Sequence, residues 1–301
     1  MNIYKDRDYT PMKLSEEDTP FDSPGFIFEI KFDGIRALIY AEPGKITIKN
    51  RNGFILNNYY PELLTIKDIV KEKCVFDGEI ILMVNGNSSF NKLQERALLK
   101  DKNKINYFKE NHPVTFVCYD ILYEGKDITN LPLLKRKKIL KKYRDTDYFI
   151  KTPYILERGI DLFNITKKHK LEGIVAKDKN STYQINKRSK DWIKIKNWYD
   201  EEFFICGFIE KEKGSLASLI LGERKNNKIQ YAGKVSIGKR NQEFIKIKKQ
   251  RQLKRNYLTE FLSNDEFITL IEPKLQCTVE FTEKTKAGRL RHPVFKGLRL
   301  D

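Results

Sequence analysis

Apolar and polar residues alternate strictly along residues 28–33. In an extended strand the Phe-x-Ile-x-Phe positions point to one side, and Glu29, Lys31 and Asp33 point to the other. The polar side therefore holds one ammonium between two carboxylates, and a glycine and Arg36 follow closely. Alternation by itself predicts a half-buried strand with a solvated polar side. Whether Lys31 has a chemical use depends on the rest of the chain.

Hydrophobic patterning divides the chain into two regions near residue 198. The first region mixes strand-like runs with helical runs, several of which begin after Pro or Ser. Its predicted strands are 26–32, 35–41, 45–50, 74–84 with an interruption at 77–79, 113–123, 172–177 and 191–196. Its predicted helices are 61–73, 89–100, 133–143 and 159–170.

The second region consists mainly of short strands bounded by glycines. They are predicted at 202–209, 216–223, 228–236 and 275–283, with a basic helix at about 241–262. Short strands with one helix among them are typical of a small barrel of the OB type. We therefore expect two domains, residues 1–198 and 199–301.

The net charge of +17, from 58 basic and 41 acidic residues, is spread over both predicted domains. A partner that carries many phosphates explains such an excess, so we expect nucleic acid. A Lys-rich proteome is the alternative explanation. The four cysteines and three histidines show no disulfide or metal-ligand spacing. With no signal peptide and no run of about 20 apolar residues, the chain is predicted to be intracellular and free of membranes.

Three stretches place a charged or aromatic residue inside apolar sequence. Glu79 could hold a ribose hydroxyl or a metal, or it could belong to a turn with exposed acids. Tyr119 could stack on a base or be an ordinary core aromatic. Glu172 precedes a buried-looking strand and could coordinate Mg²⁺. It could equally well be an ordinary acidic residue at the end of the preceding helix.

A fourth stretch, residues 191–196, places Trp192, Lys194 and Lys196 on one face of a strand. Two ammoniums about 7 Å apart repel each other. A phosphate between or above them would relieve this repulsion, and a solvated face is the alternative. Together the stretches supply a nucleophile, carboxylates, a stacking aromatic and phosphate-binding lysines. These are the parts needed for attack of an amine on the α-phosphate of a nucleotide.

In this order the stretches resemble the motif series of the covalent nucleotidyltransferases, which include ATP-dependent DNA ligases, RNA ligases and mRNA capping enzymes. Residues 31–36 fit the nucleophile motif K-x-D-G-x-R at every specified position. The later motifs correspond to residues 51–53, 76–79, 119–120, 172–173 and 194–196. Within the family the chain is most similar to the ligase domain of bacterial end-joining ligases and their stand-alone relatives. That similarity lies in residues 90–96, 131–136, 181–189 and 288–299.

The last motif departs from the family pattern. It usually continues as Arg-x-Asp-Lys, whereas Arg299-Leu300-Asp301 has no following Lys. In the family this motif is thought to orient the ATP pyrophosphate during the first step. Lys296 or another residue could supply the ammonium, or self-adenylylation could be slower, and the sequence leaves both open.

The resemblance implies an α+β fold, with a nucleotidyltransferase (adenylation) domain of antiparallel sheets flanked by helices and a C-terminal OB-fold β-barrel that swings near residues 198–200. It implies an ATP-dependent DNA ligase that seals 5′-phosphate/3′-hydroxyl nicks through lysyl-AMP and DNA-adenylate, in repair, recombination or end joining. ATP is then the co-substrate, with Mg²⁺ or Mn²⁺ as metal. The expected partner is nicked duplex DNA, and DNA end-binding repair proteins are candidate partners. We expect a monomer in the cytoplasm, associated with the nucleoid.

The resemblance also implies roles for individual residues. Lys31 is the catalytic nucleophile, and since free Lys is protonated near pH 7, we expect it to react chiefly once the metal is bound. Glu29 and Asp33 are expected to oppose its activation until then. The other implied roles are Glu29 beside adenine, Arg36 and Arg51 at ribose and phosphates, Glu79 at ribose and metal, Tyr119 stacked on adenine, Glu172 at the metal, Lys194 and Lys196 at the α-phosphate, and Arg188 near that motif.

Two alternatives stay open from the sequence. An RNA ligase or a capping guanylyltransferase shares the chemistry, but residues 51–53 and 288–299 favour a DNA ligase. A non-catalytic DNA-binding module could keep an inert ligase fold. The intact Lys31, Glu79, Glu172 and Lys194 argue against that module.

Overall fold

The computed structural model describes residues 2–84, 86–212, 215–238, 241–259, 267–285 and 287–299. The chain forms two compact units, Met1–Asn197 and Trp198–Asp301. Each unit has its own buried apolar clusters. The division falls within one residue of the change in hydrophobic patterning.

The first unit mixes strands with helices along its whole length. Its strands are β1 (Lys13–Glu16), β2 (Phe26–Ile30), β3 (Ile35–Glu42), β4 (Lys45–Asn50), β5 (Cys74–Val84), β6 (Asn87–Ser88), β7 (Val114–Glu124), β8 (Lys126–Asp127), β9 (Phe149–Lys151), β10 (Tyr154–Leu156), β11 (Gly173–Asp178) and β12 (Arg188–Lys196). Its helices are a 3₁₀ helix (Pro61–Asp68), α1 (Phe90–Ala97), α2 (Lys102–Asn111), α3 (Leu133–Leu140) and α4 (Gly159–Lys168).

Two sheets pack against each other in this unit. One has the strand order β1-β12-β11-β2-β10, and the other has β4-β3-β5-β7-β8 with β6 on β5 and β9 on β7. Pairing is mainly antiparallel, but β1 runs parallel to β12 and β9 runs parallel to β7. Ile27 and Trp192 from the first sheet share one buried cluster with Leu38, Val75 and Leu122 from the second.

Helices cover the outer faces of the two sheets. Leu162 of α4 packs on Phe28 and Ile174 of the first sheet. Leu63 of the 3₁₀ helix and Leu93 of α1 belong to the apolar cluster on the second. The apolar side of the 28–33 alternation therefore faces α4, and the Lys31 side faces the space between the sheets.

The second unit is built around one long strand. Its elements are β13 (Tyr199–Glu212), β14 (Ser215–Lys225), β15 (Lys228–Val235), α5 (Asn241–Lys248), β16 (Gln252–Leu253), β17 (Ile268–Ile271), β18 (Gln276–Phe281), β19 (Glu283–Lys284), β20 (Leu290–Arg291) and β21 (Val294–Leu298). Strand β13 pairs with β14 on one edge, and on the other edge first with β18 and then with β17. This OB-like arrangement and the α+β first unit confirm the predicted fold class.

Several predicted elements differ from the observed ones. The basic helix expected at 241–262 ends at Lys248, because Gln252 and Leu253 pair as a strand with β17; residues 260–262 lie outside the described ones. The helix expected at 61–73 is a 3₁₀ helix that ends at Asp68. Helix α2 was not predicted, because only Ile105 of its residues is buried and its apolar periodicity is weak.

The interruption expected at 77–79 is absent, because β5 runs continuously with a register shift after Asp77. Asp77 is fully buried, so the alternative of a turn with exposed acids was wrong. In the part of the chain that is described, no helix is both long enough and apolar enough to cross a membrane.

Candidate nucleotide-binding site

Lys31 directly follows β2 and is held by the neighbouring strand β11. Its backbone N–H donates to the carbonyl of Gly173 at 2.9 Å. Gly173 adopts a φ of 141°, and a Cβ there would lie 2.1 Å from the carbonyl oxygen of Ile195, so only glycine fits. This close packing brings Glu172 beside Lys31, whose ammonium donates to Glu172 Oε2 at 2.8 Å.

Gly34 allows the second sheet to approach the same point. A Cβ on Gly34 would lie 2.3 Å from the carbonyl oxygen of Ile80 and 2.8 Å from Cγ of Glu79. Any side chain here would force β5 away from Lys31. The two motif glycines therefore bring Lys31, Glu172 and Glu79 together from three separate segments.

Both carboxylates of this group have raised pKa values. Burial is the largest cause for Glu79 and raises its pKa to about 8, against the opposing charges of Lys31 and Arg36 and with a contribution from Glu172. Burial also raises the pKa of Glu172, against the charge of Lys31. A cation beside the two carboxylates would favour their charged forms. A bound cation would therefore stabilise the charged carboxylates of this site.

Lys194 and Lys196 lie on the same sheet, one strand beyond β11. The parallel strand β1 places Glu16 opposite Lys194. One Glu16 oxygen lies 2.9 Å from the Lys194 ammonium, and the other lies 3.2 Å from that of Lys196. Burial raises the pKa of Glu16, but the two ammoniums outweigh it and hold that pKa below its ordinary value. The anion that relieves the lysine repulsion here is a carboxylate of the chain itself.

Glu29 is 2% exposed, so the predicted solvated polar side is wrong at this position. Its carboxylate accepts hydrogen bonds from Lys177 at 2.7 Å and from Lys137. Burial lowers the pKa of Lys177 to about 8, against the charge of Glu29. Glu29 was expected to oppose the activation of Lys31, but the carboxylate that contacts Lys31 is Glu172.

Tyr119 lies beside this buried charge cluster and is itself only partly buried. The Lys177 ammonium lies 4.4 Å from its ring centroid, and Trp192 meets the ring edge-on at 6.3 Å. Lys177 thus links the Tyr119 ring to the Glu29 carboxylate. An aromatic ring beside a fixed acceptor is an arrangement that can recognise a nucleobase.

Arg36 is committed to partners within the unit. Its Nε and Nη2 donate to the two oxygens of Asp77 at 3.1 and 2.7 Å, and its Nη1 donates to the carbonyl of Met12 at 2.6 Å. The Tyr183 hydroxyl donates to Asp77 at 2.6 Å. A nucleotide that contacts Arg36 must share the guanidinium with Asp77.

Comparison with protein families explains this constellation. Residues 11–196 match the family model described as ATP dependent DNA ligase domain. Residues 212–301 match the model described as ATP dependent DNA ligase C terminal region. The chain belongs to the ATP-dependent DNA ligase family.

Individual relatives show which members of the family the ligase resembles. It is 31% identical, over 97% of its length, to the SPbeta prophage-derived DNA ligase-like protein LigB of Bacillus subtilis, and the match covers 99% of that protein. It is 30% identical, over 98% of its length, to the multifunctional non-homologous end joining protein LigD of Mycolicibacterium smegmatis. The ligase spans only 39% of that LigD.

Among solved structures, the ligase resembles mycobacterial DNA ligase D complexed with ATP and MES. The TM-score is 0.59 at 26% sequence identity, and the match covers 99% of this chain and 97% of the other. The matches favour a DNA ligase over an RNA ligase, a capping guanylyltransferase or an inert DNA-binding module.

Arg51 and Arg188 occupy exposed positions in the ligase. Arg51 lies on the turn after β4, and its backbone N–H donates to the carbonyl of Arg36 at 3.2 Å. Arg188 begins β12 and donates from its guanidinium to the carbonyl of Leu14. Their predicted roles at the nucleotide stay predictions. Leu300 and Asp301 lie outside the described residues, and Lys296 pairs with Glu280 at 3.0 Å.

Several residues around the site were not predicted from the sequence. Asp77 and Lys177 had a usable signal, because each is a charged residue inside an apolar run. Lys137 lies in a basic helix, and nothing in the sequence distinguishes it from the other lysines of that helix. Glu16 had no signal, since the polar segment before β2 looks like an ordinary lead-in.

Glu79 and Glu172 are the residues that would hold Mg²⁺. Among the described residues, no group of three or more His, Cys, Asp or Glu side chains is arranged to hold a metal. Mg²⁺ is commonly bound by one or two carboxylates together with substrate phosphates and water. Two carboxylates with raised pKa values, close to the ammoniums of Lys31 and Lys196, fit that ion.

Proposed function

We propose that this ligase seals nicks in duplex DNA that carry a 5′-phosphate and a 3′-hydroxyl. One observation carries the proposal. Lys31 bonds to Gly173 on β11, and Gly173 pairs with Lys196 on β12, so the nucleophile and a phosphate-binding lysine lie in one row across adjacent strands. Strand β11 lies between the two lysines, so two strand spacings of about 4.8 Å separate their backbones. Both long side chains leave the same face of the sheet, so one phosphate between them can reach both ammoniums.

In the first step the Lys31 amine attacks the α-phosphorus of ATP. A P–N bond forms, the bond to the β-phosphate oxygen breaks and pyrophosphate leaves. Lys31 must first lose the proton that it shares with Glu172, while Lys194 and Lys196 stabilise the charge on the α-phosphate. Bound at Glu172 and Glu79, Mg²⁺ would neutralise phosphate charge and take up the carboxylate that now accepts from Lys31.

The other two steps move AMP to DNA and then release it. An oxygen of the 5′-phosphate attacks the lysyl-AMP phosphorus, which breaks the P–N bond and forms DNA-adenylate. The 3′-hydroxyl then attacks the 5′-phosphate, the strand closes and AMP leaves. Positioning and charge stabilisation account for most of the catalysis in such transfers.

Tyr119 and Glu29 give the ligase a means of choosing the base. We assign stacking on adenine to Tyr119 and a contact with the base to the Glu29 carboxylate, which Lys137 and Lys177 hold in place. Arg36, Arg51 and Glu79 complete the ribose and phosphate contacts, and Arg188 lies on the approach to them.

The basic second unit supplies backbone contacts to DNA without reading sequence. Such binding weakens steeply with salt. We propose a monomer that works in the cytoplasm at the nucleoid, in repair, recombination or end joining. DNA end-binding proteins are its candidate partners, because one relative is named as a non-homologous end joining protein.

Covalent labelling tests the proposal directly. The protein is incubated with Mg²⁺ and either ATP or GTP labelled at the α-phosphate. We expect labelling by ATP and not by GTP, loss of labelling in Lys31→Ala, and unchanged labelling in Lys45→Ala, which removes an exposed lysine from β4. Labelling that survives Lys31→Ala would refute the assigned nucleophile.

A nicked duplex completes the test. DNA or RNA strands are placed on each side of the nick, and sealing is followed with ATP and Mg²⁺. Sealing of the all-DNA duplex is the expected result. A protein that labels with ATP but seals only RNA would overturn the proposed substrate.

A further inference from the structure

Each of the three ammoniums of the phosphate site is paired with a carboxylate of the chain. Lys31 pairs with Glu172 at 2.8 Å, and Glu16 pairs with Lys194 at 2.9 Å and with Lys196 at 3.2 Å. Glu172 has a place in the reaction, because it is an assigned metal ligand. Glu16 has none, although it bridges the two lysines that are assigned to the α-phosphate.

The backbone around Glu16 holds it opposite the lysines. The Glu17 N–H donates to the carbonyl of Lys194 at 3.1 Å, and the Ser15 hydroxyl donates to the carbonyl of Ser189 at 2.8 Å. The flanking residues on both sides thus fix β1 to β12. Glu16 then presents one oxygen to each ammonium, as two non-bridging oxygens of a phosphate would.

The bridge is open to exchange with an incoming anion. The Glu16 side chain is 42% exposed, and those of Lys194 and Lys196 are 22% and 12% exposed. Ion pairs that reach solvent contribute little to stability, and a better anion can replace one partner at small cost. The α-phosphate of ATP offers the same charge and the same pair of oxygens, and the base, ribose and other phosphates of the nucleotide add contacts that Glu16 lacks.

We propose that Glu16 is an internal counter-anion that the α-phosphate must displace from Lys194 and Lys196. It weakens nucleotide binding and so sets the affinity of the site. After strand closure the same carboxylate competes with AMP for the lysines and promotes its release. This inference rests on the proposed function, in which these two lysines hold the α-phosphate.

The test compares Glu16→Gln with Glu17→Gln. The second variant is the matched control, because it removes the same charge from the next residue, which is exposed and meets Lys194 through its backbone. Calorimetric titration with ATP in EDTA measures binding without the covalent step. We expect Glu16→Gln to bind ATP about fivefold more tightly than the wild type, and Glu17→Gln to bind it as the wild type does.

A second measurement separates this role from a structural one. With Mg²⁺ present, the KM for ATP in covalent labelling should fall in Glu16→Gln, while the maximal labelling rate should not rise. Glu16→Asp keeps the charge and should return the affinity toward the wild-type value. If β1 only needed Glu16 to stay docked, Glu16→Gln would instead bind ATP more weakly and unfold at a lower temperature.

Unchanged or weaker ATP binding by Glu16→Gln in EDTA would overturn the inference, whatever the wild-type activity. Absence of covalent labelling in the wild type would refute the proposed function instead. The two failures are therefore distinguishable, because the EDTA titration needs no catalysis.

Discussion

Two kinds of ion pair occur in the first unit, and they differ in burial. Arg136 and Asp120 are both 0% exposed, as are Arg96 and Glu62. The Lys31–Glu172 pair of the site is about 20% exposed on each side. These buried pairs have no access to a competing ion, whereas the partly exposed Lys31–Glu172 pair does.

The difference in burial decides whether an ion pair stays fixed in the fold or can exchange one partner for a ligand. A buried pair that loses one partner leaves an uncompensated charge in a medium of low dielectric, which is costly. In a partly exposed pair, a nucleotide or a metal can replace one of the two partners at little cost in free energy. We therefore expect the two fully buried pairs to control stability, and the partly exposed pairs of Lys31, Lys194 and Lys196 to control chemistry.

The largest expected effect comes from breaking a buried pair. Arg136 donates to both oxygens of Asp120 and also to the carbonyl of Ser181 at 3.0 Å. Asp120→Asn should lower the free energy of unfolding by about 3–5 kcal/mol, measured by urea denaturation. Glu95→Gln, which removes the partly exposed Lys92–Glu95 pair, should cost less than about 1 kcal/mol. Equal losses in the two variants would remove the distinction.

The next-largest expected effect is a loss of activity with little change in the free energy of unfolding. Lys196→Ala should reduce the rate of covalent labelling about 10- to 100-fold, because a charged contact to phosphate is lost. The free energy of unfolding should change by less than about 1 kcal/mol. Lys190→Ala is the control, since it removes an exposed lysine from the same strand. A large loss of stability in Lys196→Ala would contradict the prediction, because Lys196 would then act like a member of the buried ion pairs.

The last and most gradual expected effect is a dependence of stability on pH. Burial raises the pKa of Glu79 from an ordinary 4.5 to about 8, so the folded protein holds this proton more tightly than the unfolded chain does. Stability from this group is therefore present at low pH and is lost as pH rises from about 5 to about 8. The thermal midpoint of the wild type should fall over that range, and that of Glu79→Gln should fall less.

Added Mg²⁺ sharpens this last comparison. A cation at Glu79 and Glu172 would favour their charged forms, so it should restore part of the midpoint of the wild type at pH 8. Glu79→Gln should respond less to Mg²⁺ because it has lost one of the two carboxylates. An equal response in both proteins would remove Glu79 from the metal site.

Local patterns predicted the elements that carry the motifs. Strands β3, β4 and β7 lie within a residue or two of their predicted positions. Helix α1 is capped by Ser89, whose side chain accepts from the N–H of Lys92. These elements follow from apolar period and capping chemistry, which act between residues close in sequence.

Local patterns failed where distant partners decide the outcome. Asp77 looked like part of an exposed turn, but Arg36 and Tyr183 satisfy it inside the sheet. Glu29 looked solvated, but lysines 108 and 148 residues away neutralise it. A buried charge is tolerated only when it is paired, and the pair cannot be known before the strands are assembled.

Residues 31–36 and the carboxylates and lysines that follow them in order were enough to predict an ATP-dependent ligase, because the motif spacing can be read without knowing which residues meet in space. Which carboxylate meets which ammonium could not be predicted in this way and is seen only in the folded chain. The fold places Glu172 rather than Glu29 on Lys31, and Glu16 on Lys194 and Lys196. The reason is that strand pairing, parallel between β1 and β12 and antiparallel between β2, β11 and β12, sets these distances, and pairing joins segments far apart in the chain.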